Sequence, residues 1–381
     1  MVRGRGLIFL LLAAFVFLFG AIPAAAEDGL PDFGEPLDEF YAAIPDDLRE
    51  SLPDGLFSGE MPDAGAMQEA WSFSSLLDRV REALTGALPE MGRLFGQLCL
   101  CALFAALFEA ICSAFDGGRL SGLAQLCGRL CMAGLLLDAQ LGQLTSITAC
   151  LRQLRLVVNA MLPVIGAIFA AGGSTGTATA SCGSLLLFLN LGENLCAAFF
   201  LPLIAAACGL SAVAWLPAGG RLKGLLGCLK RVITWSLGLF GTVFSAVFAF
   251  QTILAAGADS VAARTVKFTV SSAVPVIGGV VGDTVRTVAG GLGYLKDTVG
   301  LLGIFLLVLI VLPPLVQLLL YRAALALAGA VAELLGCEKE SKLLGDFGDA
   351  NGMLLALLCG AMLCFLFALV MFVRISLAMG K

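Results

Sequence analysis

The chain contains no histidine. Without an imidazole there is no Ser-His-Asp triad, no Cys-His couple and no histidine ligand for a metal. Thiols are the remaining soft nucleophiles. There are 13 cysteines, all between Cys99 and Cys364 and all in or beside apolar runs. Cys99-x-Cys101 and Cys127-xxx-Cys131 lack the paired C-x-x-C spacing of a zinc site, and the second pair is simply one helical turn apart. Such cysteines behave as small buried hydrophobes. No nucleophile–base pair or paired-carboxylate site stands out. Gly172-Gly173-Ser174-Thr175-Gly176-Thr177-Ala178-Thr179 lacks the Lys-Ser/Thr of a Walker loop and has no soluble strand ahead of it. It reads as a flexible turn, or as a pore or gate loop. The sequence thus points away from an enzyme, a cofactor protein or a nucleic-acid binder.

What remains capable of chemistry is charge in apolar surroundings. Glu109, Arg129, Asp138, Glu193, Asn194 and Arg322 lie within or near apolar runs. Ionisable groups there cost about 2.5–3.5 kcal/mol each on insertion scales, so they pair, anchor or line a path. Arg129 and Asp138 are nine residues apart, too far for a one-turn pair. Their partners are expected on other helices. Glu193-Asn194 reads alternatively as a break between two shorter helices, and Arg322 beside Tyr321 as an interfacial anchor. A second set consists of backbone breakers that could line or gate a pore: Pro163, Gly166, Gly172, Gly173, Pro275, Gly278 and Gly282.

Composition fixes the solvent in which these groups work. Of 381 residues, 59% are hydrophobic and 13% charged, about half the charge of a soluble domain. The fold class that follows is an all-α polytopic membrane protein with about 6–8 membrane helices. Arg3 and Arg5, the apolar run 7–19 and Ala24-Ala25-Ala26 form a secretory signal peptide over residues 1–26. Residues 27–93 form an acidic extracytoplasmic arm, with 16 Asp or Glu against 4 Arg. Five prolines between Pro31 and Pro62 cut its first part into short, poorly ordered pieces. Trp71, Leu76, Leu77, Val80, Leu84 and Leu88 then space out an amphipathic helix, lying on the membrane surface or docking a partner.

The membrane part carries an internal repeat of about 112 residues. Met161-Leu162-Pro163-Val164-Ile165-Gly166 is echoed by Ala273-Val274-Pro275-Val276-Ile277-Gly278. At the same offset Arg119 falls on Arg231, Arg152 on Arg264, Arg155 on Lys267 and Pro202 on Pro314. The expected organisation is a leading membrane helix at 94–118, repeat units at 119–230 and 231–342, and a C-terminal membrane helix at 343–381. Runs long enough to cross a bilayer are 94–115, 123–144 (weak), 184–215, 232–256, 299–332 and 352–373. Prolines 202, 313 and 314 predict kinks in two of them. The short Pro-Val-Ile-Gly segments read as broken or re-entrant helices, tolerated where protein or a cavity covers them. Two parallel units, each crossing twice, then place the loops 216–231 and 333–350 on the side favoured by their lysines and arginines. Three spans per unit, with the units inverted, is the other topology.

The order of features resembles one family: signal peptide, acidic arm, Leu-Pro-Val-Ile-Gly before a Gly/Ser/Thr stretch, and Asp346-Phe347-Gly348-Asp349-Ala350-Asn351-Gly352 ahead of a last span ending Arg374-Ile375-Ser376. This order is similar to the stage III sporulation protein AE family of endospore-forming bacteria. The resemblance implies a multi-pass protein in the mother-cell-derived membrane around the forespore. Its implied partners are other membrane proteins of a sporulation channel complex; composition adds the lipid bilayer, and the acidity of the arm reads as a partner-facing surface or as a merely solvated segment. It implies no catalytic residues. The competing expectation is a stand-alone secondary transporter with a midplane site between its repeats. Against it, Glu193 falls on Phe305 and Arg322 on Leu210 at the repeat offset, so the charges are not matched.

Overall fold

The structure, a computed structural model, describes Phe40, Ile44 and residues 73–114, 118–171, 175–215, 221–273 and 278–375. The expected signal peptide, 1–26, lies outside these residues, as does most of the expected arm, 27–93. Among the described residues all regular structure is helical: α1 (Phe73–Ala114), α2 (Gly118–Ala171), α3 (Thr175–Leu195), a π turn (Cys196–Phe200), α4 (Leu201–Ala214), α5 (Leu222–Ala273), α6 (Gly278–Leu334) and α7 (Glu338–Ile375). Among the described residues five segments are long and apolar enough to cross a membrane: Leu77–Ile111, Leu126–Met161, Leu186–Ala214, Val299–Leu334 and Glu338–Leu369.

The helices alternate in direction. Trp215, after α4, and Lys230, early in α5, meet Asp346, early in α7. Arg129, early in α2, meets Glu340, and Cys337 meets Ala102 of α1. These contacts gather at one end of the bundle. Toward the other end, Met161 and Leu369 pack on Gly303, and Arg79 lies over the ring of Phe305. Trp215, Lys230 and the turn between α6 and α7 therefore share one end. Helices α2, α5 and α6 have 54, 52 and 57 residues. At 1.5 Å per residue each runs about 80 Å, more than twice the apolar core of a bilayer.

Prolines act less abruptly than expected. Pro163 lies inside α2, exposed, and the helix continues through Val164-Ile165-Gly166 to Ala171. The first Pro-Val-Ile-Gly segment is thus a helical continuation rather than a break. The second falls where α5 has ended at Ala273 and α6 begins at Gly278, with Pro275 outside the described residues. Pro313 and Pro314 sit within an unbroken α6. Pro202 does distort its helix. The π turn immediately precedes it, and the Leu201 amide donates to the Cys196 carbonyl. Proline cannot donate and its ring crowds the carbonyl four residues back, which a wider turn relieves. No break occurs at Glu193-Asn194, which sit within α3.

The expected surface helix and leading membrane helix are one continuous α1. Its buried face is Ala87, Met91, Leu94, Leu98, Ala102 and Ala105. The stripe that revealed the helix, Leu77, Val80, Leu84 and Leu88, is exposed instead. Helix α6 is the most enclosed: 67% of its apolar window is buried, against 22% for α1. Two described residues from the stretch expected to form the acidic arm, Phe40 and Ile44, are buried in the same core. The α6–α7 turn is closed by Gly336 at φ +80°, with Gly336 N–H donating to Glu333 and Cys337 N–H to Ala332. This pattern is a Schellman cap, which needs a left-handed residue at that point.

Candidate functional site

Three polar clusters tie the helices together. In the first, Arg129 Nε donates to Glu340 Oε1 at 2.8 Å, and both side chains are under 10% exposed. Arg129 comes from α2 and Glu340 from the first turn of α7. A buried guanidinium needs a carboxylate of matching geometry, because either charge alone would carry its full desolvation cost. Cys337 stands nearby, its Sγ 3.7 Å from the Ala102 carbonyl. Burial raises its thiol pKa, helped by the charges of Glu340 and Glu109 and opposed by Arg129.

The second cluster joins α2 to α3. Arg155 donates through Nε to Glu193 and through Nη2 to Asn194 Oδ1, the latter at 2.9 Å. Glu193 is buried while Arg155 reaches the bundle surface. A shallow crevice runs beside them, lined by Asn159, Asn190, Leu189 and Phe365 among others. Adjacent, Phe188, Phe244, Phe240 and Phe200 form a chain of ring contacts between α3–α4 and α5. Gly192 is required beneath it, since a Cβ there would strike the Phe244 ring.

The third cluster explains the Asp-Phe-Gly-Asp-Ala-Asn-Gly segment of α7. Asp346 accepts from Trp215 Nε1 and Lys230 Nζ, each at 2.6 Å, and Asp349 accepts from Lys230 at 3.0 Å. Lys223 Nζ sits 3.6 Å from the centre of the Trp215 ring, a cation–π contact. Phe347 and Ala350 are fully buried, and Asn351 Nδ2 donates to the Leu318 carbonyl at 2.9 Å. Gly352 leaves room for the Arg322 guanidinium against the helix backbone. The segment docks α7 onto α4, α5 and α6 at once.

The sequence candidates therefore separate. Arg129, Glu193 and Asn194 are interhelical contacts. Glu109 and Asp138 are exposed, and Arg322 packs against α7. Pro163 is in α2; Gly166, Gly278 and Gly282 lie on helix segments whose surroundings are not described; Gly172, Gly173 and Pro275 fall outside the described residues. Sequence reasoning missed Glu340 and Asp346 as partners of Arg129 and Lys230. It had picked out Arg155 only as a repeat coincidence. Among the described residues no cluster of three His, Cys, Asp or Glu is placed to hold a metal ion.

With this geometry in view, the family model for Stage III sporulation protein AE matches residues 60–376. The chain belongs to the stage III sporulation protein AE family. That span takes in every helix of the bundle and all three clusters. A family relative, Stage III sporulation protein AE of Bacillus subtilis (strain 168), is 26% identical over 245 residues. The match covers 64% of this chain and 61% of the relative, less than two thirds of its length. No solved structure matches the chain. It is thus a sporulation-family protein built of helices able to span a membrane.

Proposed function

We propose that this protein is a multi-pass membrane component of the channel complex linking mother cell and forespore, acts as its permease-like part, and is required for forespore development. The observation that carries the reading is family membership across the whole helical bundle, residues 60–376. The geometry supports it in one respect. The buried charges described here are spent on locking helices in pairs, which suits a rigid element of a larger assembly. The unmatched repeat charges argue in the same direction: Phe305, the counterpart of Glu193, is buried beneath Arg79. A protein docked on the acidic arm would approach near the site where Phe40 and Ile44 enter the core.

Deleting the gene in the spore-forming host tests this reading. The expected result is arrest after engulfment, reversed by the wild-type gene, with a fluorescent fusion in the membrane around the forespore. Heat-resistant spores at the normal count in the deletion strain would overturn it.

A further inference from the structure

Among the described residues, every buried side-chain polar atom without a hydrogen-bond partner on the protein belongs to four residues: Gln140, Gln143, Tyr321 and Asn351. The atoms are Gln140 Nε2 and Oε1, Gln143 Oε1, the Tyr321 hydroxyl and Asn351 Oδ1. Residue exposure is 6% at Gln143 and 1% or less at the others.

Contacts between the helices put the four within about 8 Å of one another along the bundle axis. Ser146 of α2 bonds Gln317 of α6, and the two helices run antiparallel. Stepping back three residues to Gln143 and forward four to Tyr321 moves the same way along the bundle by about 4.5 and 6 Å. Gln140 is one turn further. Asn351 of α7 bonds the Leu318 carbonyl, one turn from Tyr321. The level lies 13 residues from the end of α6 at Leu334, about 20 Å inside the helix.

Each such atom, left unsatisfied, costs about 1–3 kcal/mol, and a leucine at Gln140 or Gln143 would incur none of that cost. The occupant must both donate and accept. A cation would be repelled by the Gln140 amide N–H and an anion by the amide oxygens, and none of the four side chains carries charge. Water meets both demands, and buried water typically makes about three hydrogen bonds to groups of this kind.

We propose that Gln140, Gln143, Tyr321 and Asn351 hold bound water, forming a hydrated polar layer in the seam between α2, α6 and α7. The layer shares Asn351 with the third cluster, and nothing in the proposed function requires it.

Radiolytic hydroxyl labelling in heavy-oxygen water tests it, on the full-length protein in nanodiscs. Radicals formed from trapped water mark the nearest aromatic ring. Tyr321 should incorporate heavy oxygen despite its burial, while Phe347, equally buried, should not. In Gln140→Leu/Gln143→Leu the Tyr321 label should fall to the Phe347 level, with thermal unfolding still cooperative. Gln143→Leu alone serves if the double variant fails to insert. A wild-type Tyr321 labelled no more than Phe347 would overturn the proposal. So would a Tyr321 label that persists in the leucine variants.

Discussion

The thiol of Cys150 donates to the carbonyl oxygen of Ile310 at 3.7 Å, across the α2–α6 interface. Ile310 stands four residues before Pro314, and proline has no N–H to offer that carbonyl. In a lipid-solvated bundle such a freed carbonyl must find its donor on a neighbouring helix. Cys150 is that donor, so a side chain that looks like a small hydrophobe also closes a gap in the backbone of α6.

Cys150→Ala should therefore destabilise the protein by about 1–2 kcal/mol, the cost of a buried carbonyl without a donor. Cys150→Ser keeps a hydroxyl in place and should lose less. Denaturant unfolding in detergent micelles compares the two. Equal losses would mean that the contact contributes nothing.

Arg129→Gln should be far more severe, because it strands Glu340 in the core. Breaking a buried pair by removing one partner typically costs about 3–5 kcal/mol, whereas replacing both by apolar residues can be neutral. Arg129→Met with Glu340→Leu should accordingly recover most of the lost stability. A double variant as unstable as the single one would show that the ion pair is not the reason.

At Gly303, α2, α6 and α7 meet closely. A Cβ there would stand 2.6 Å from Met161 Cε and 3.1 Å from Leu369 Cδ2. The methionine can shift, so Gly303→Ala should cost about 1 kcal/mol. Gly303→Leu should cost about 3 kcal/mol as overpacking spreads to all three helices. Adding Met161→Ala to Gly303→Leu should restore stability, and thermal unfolding gives the comparison.

Cys337 lies between the spans, and its folded thiol titrates above the ordinary value of 9.0. The folded state thus holds this proton more tightly than the unfolded chain. Its contribution to stability is full below about pH 9 and is lost as pH rises toward the folded pKa. Alkylation of Cys337 should be slow at neutral pH and accelerate only above pH 9. In Glu340→Gln the rise should move to lower pH, since one of the charges holding the proton is gone. Rapid alkylation at pH 7 in the folded protein would contradict this.

Much of the architecture is legible in single residues. The runs at 184–215 and 299–332 reappear as the spans Leu186–Ala214 and Val299–Leu334, because twenty or more apolar residues admit few alternatives to a membrane helix. The distortion at Pro202 was legible from the missing N–H. The continuation of α2 through Pro163 and of α6 through Pro313-Pro314 was not. Whether a proline breaks a helix depends on whether neighbours satisfy the freed carbonyl, and Cys150 is 160 residues from Ile310. Asp346 and Asn351 were visible only as part of a family-like motif. Their docking role depends on Trp215, Lys230 and Leu318, which come from other helices.

By itself the sequence determined the solvent, the helical class, and the requirement that isolated charges find partners. Those follow from transfer energies that each residue carries wherever it sits. Only the tertiary structure decided which partners meet: Arg129 with Glu340 across 211 positions, Lys230 with Asp346 across 116. It also decided which face of α1 is core. Leu77, Val80, Leu84 and Leu88 mark a helix by their spacing, but lipid is as apolar as leucine. In that solvent an apolar stripe does not say which way it points, and the small residues Ala87, Ala102 and Ala105 mark the packed side instead.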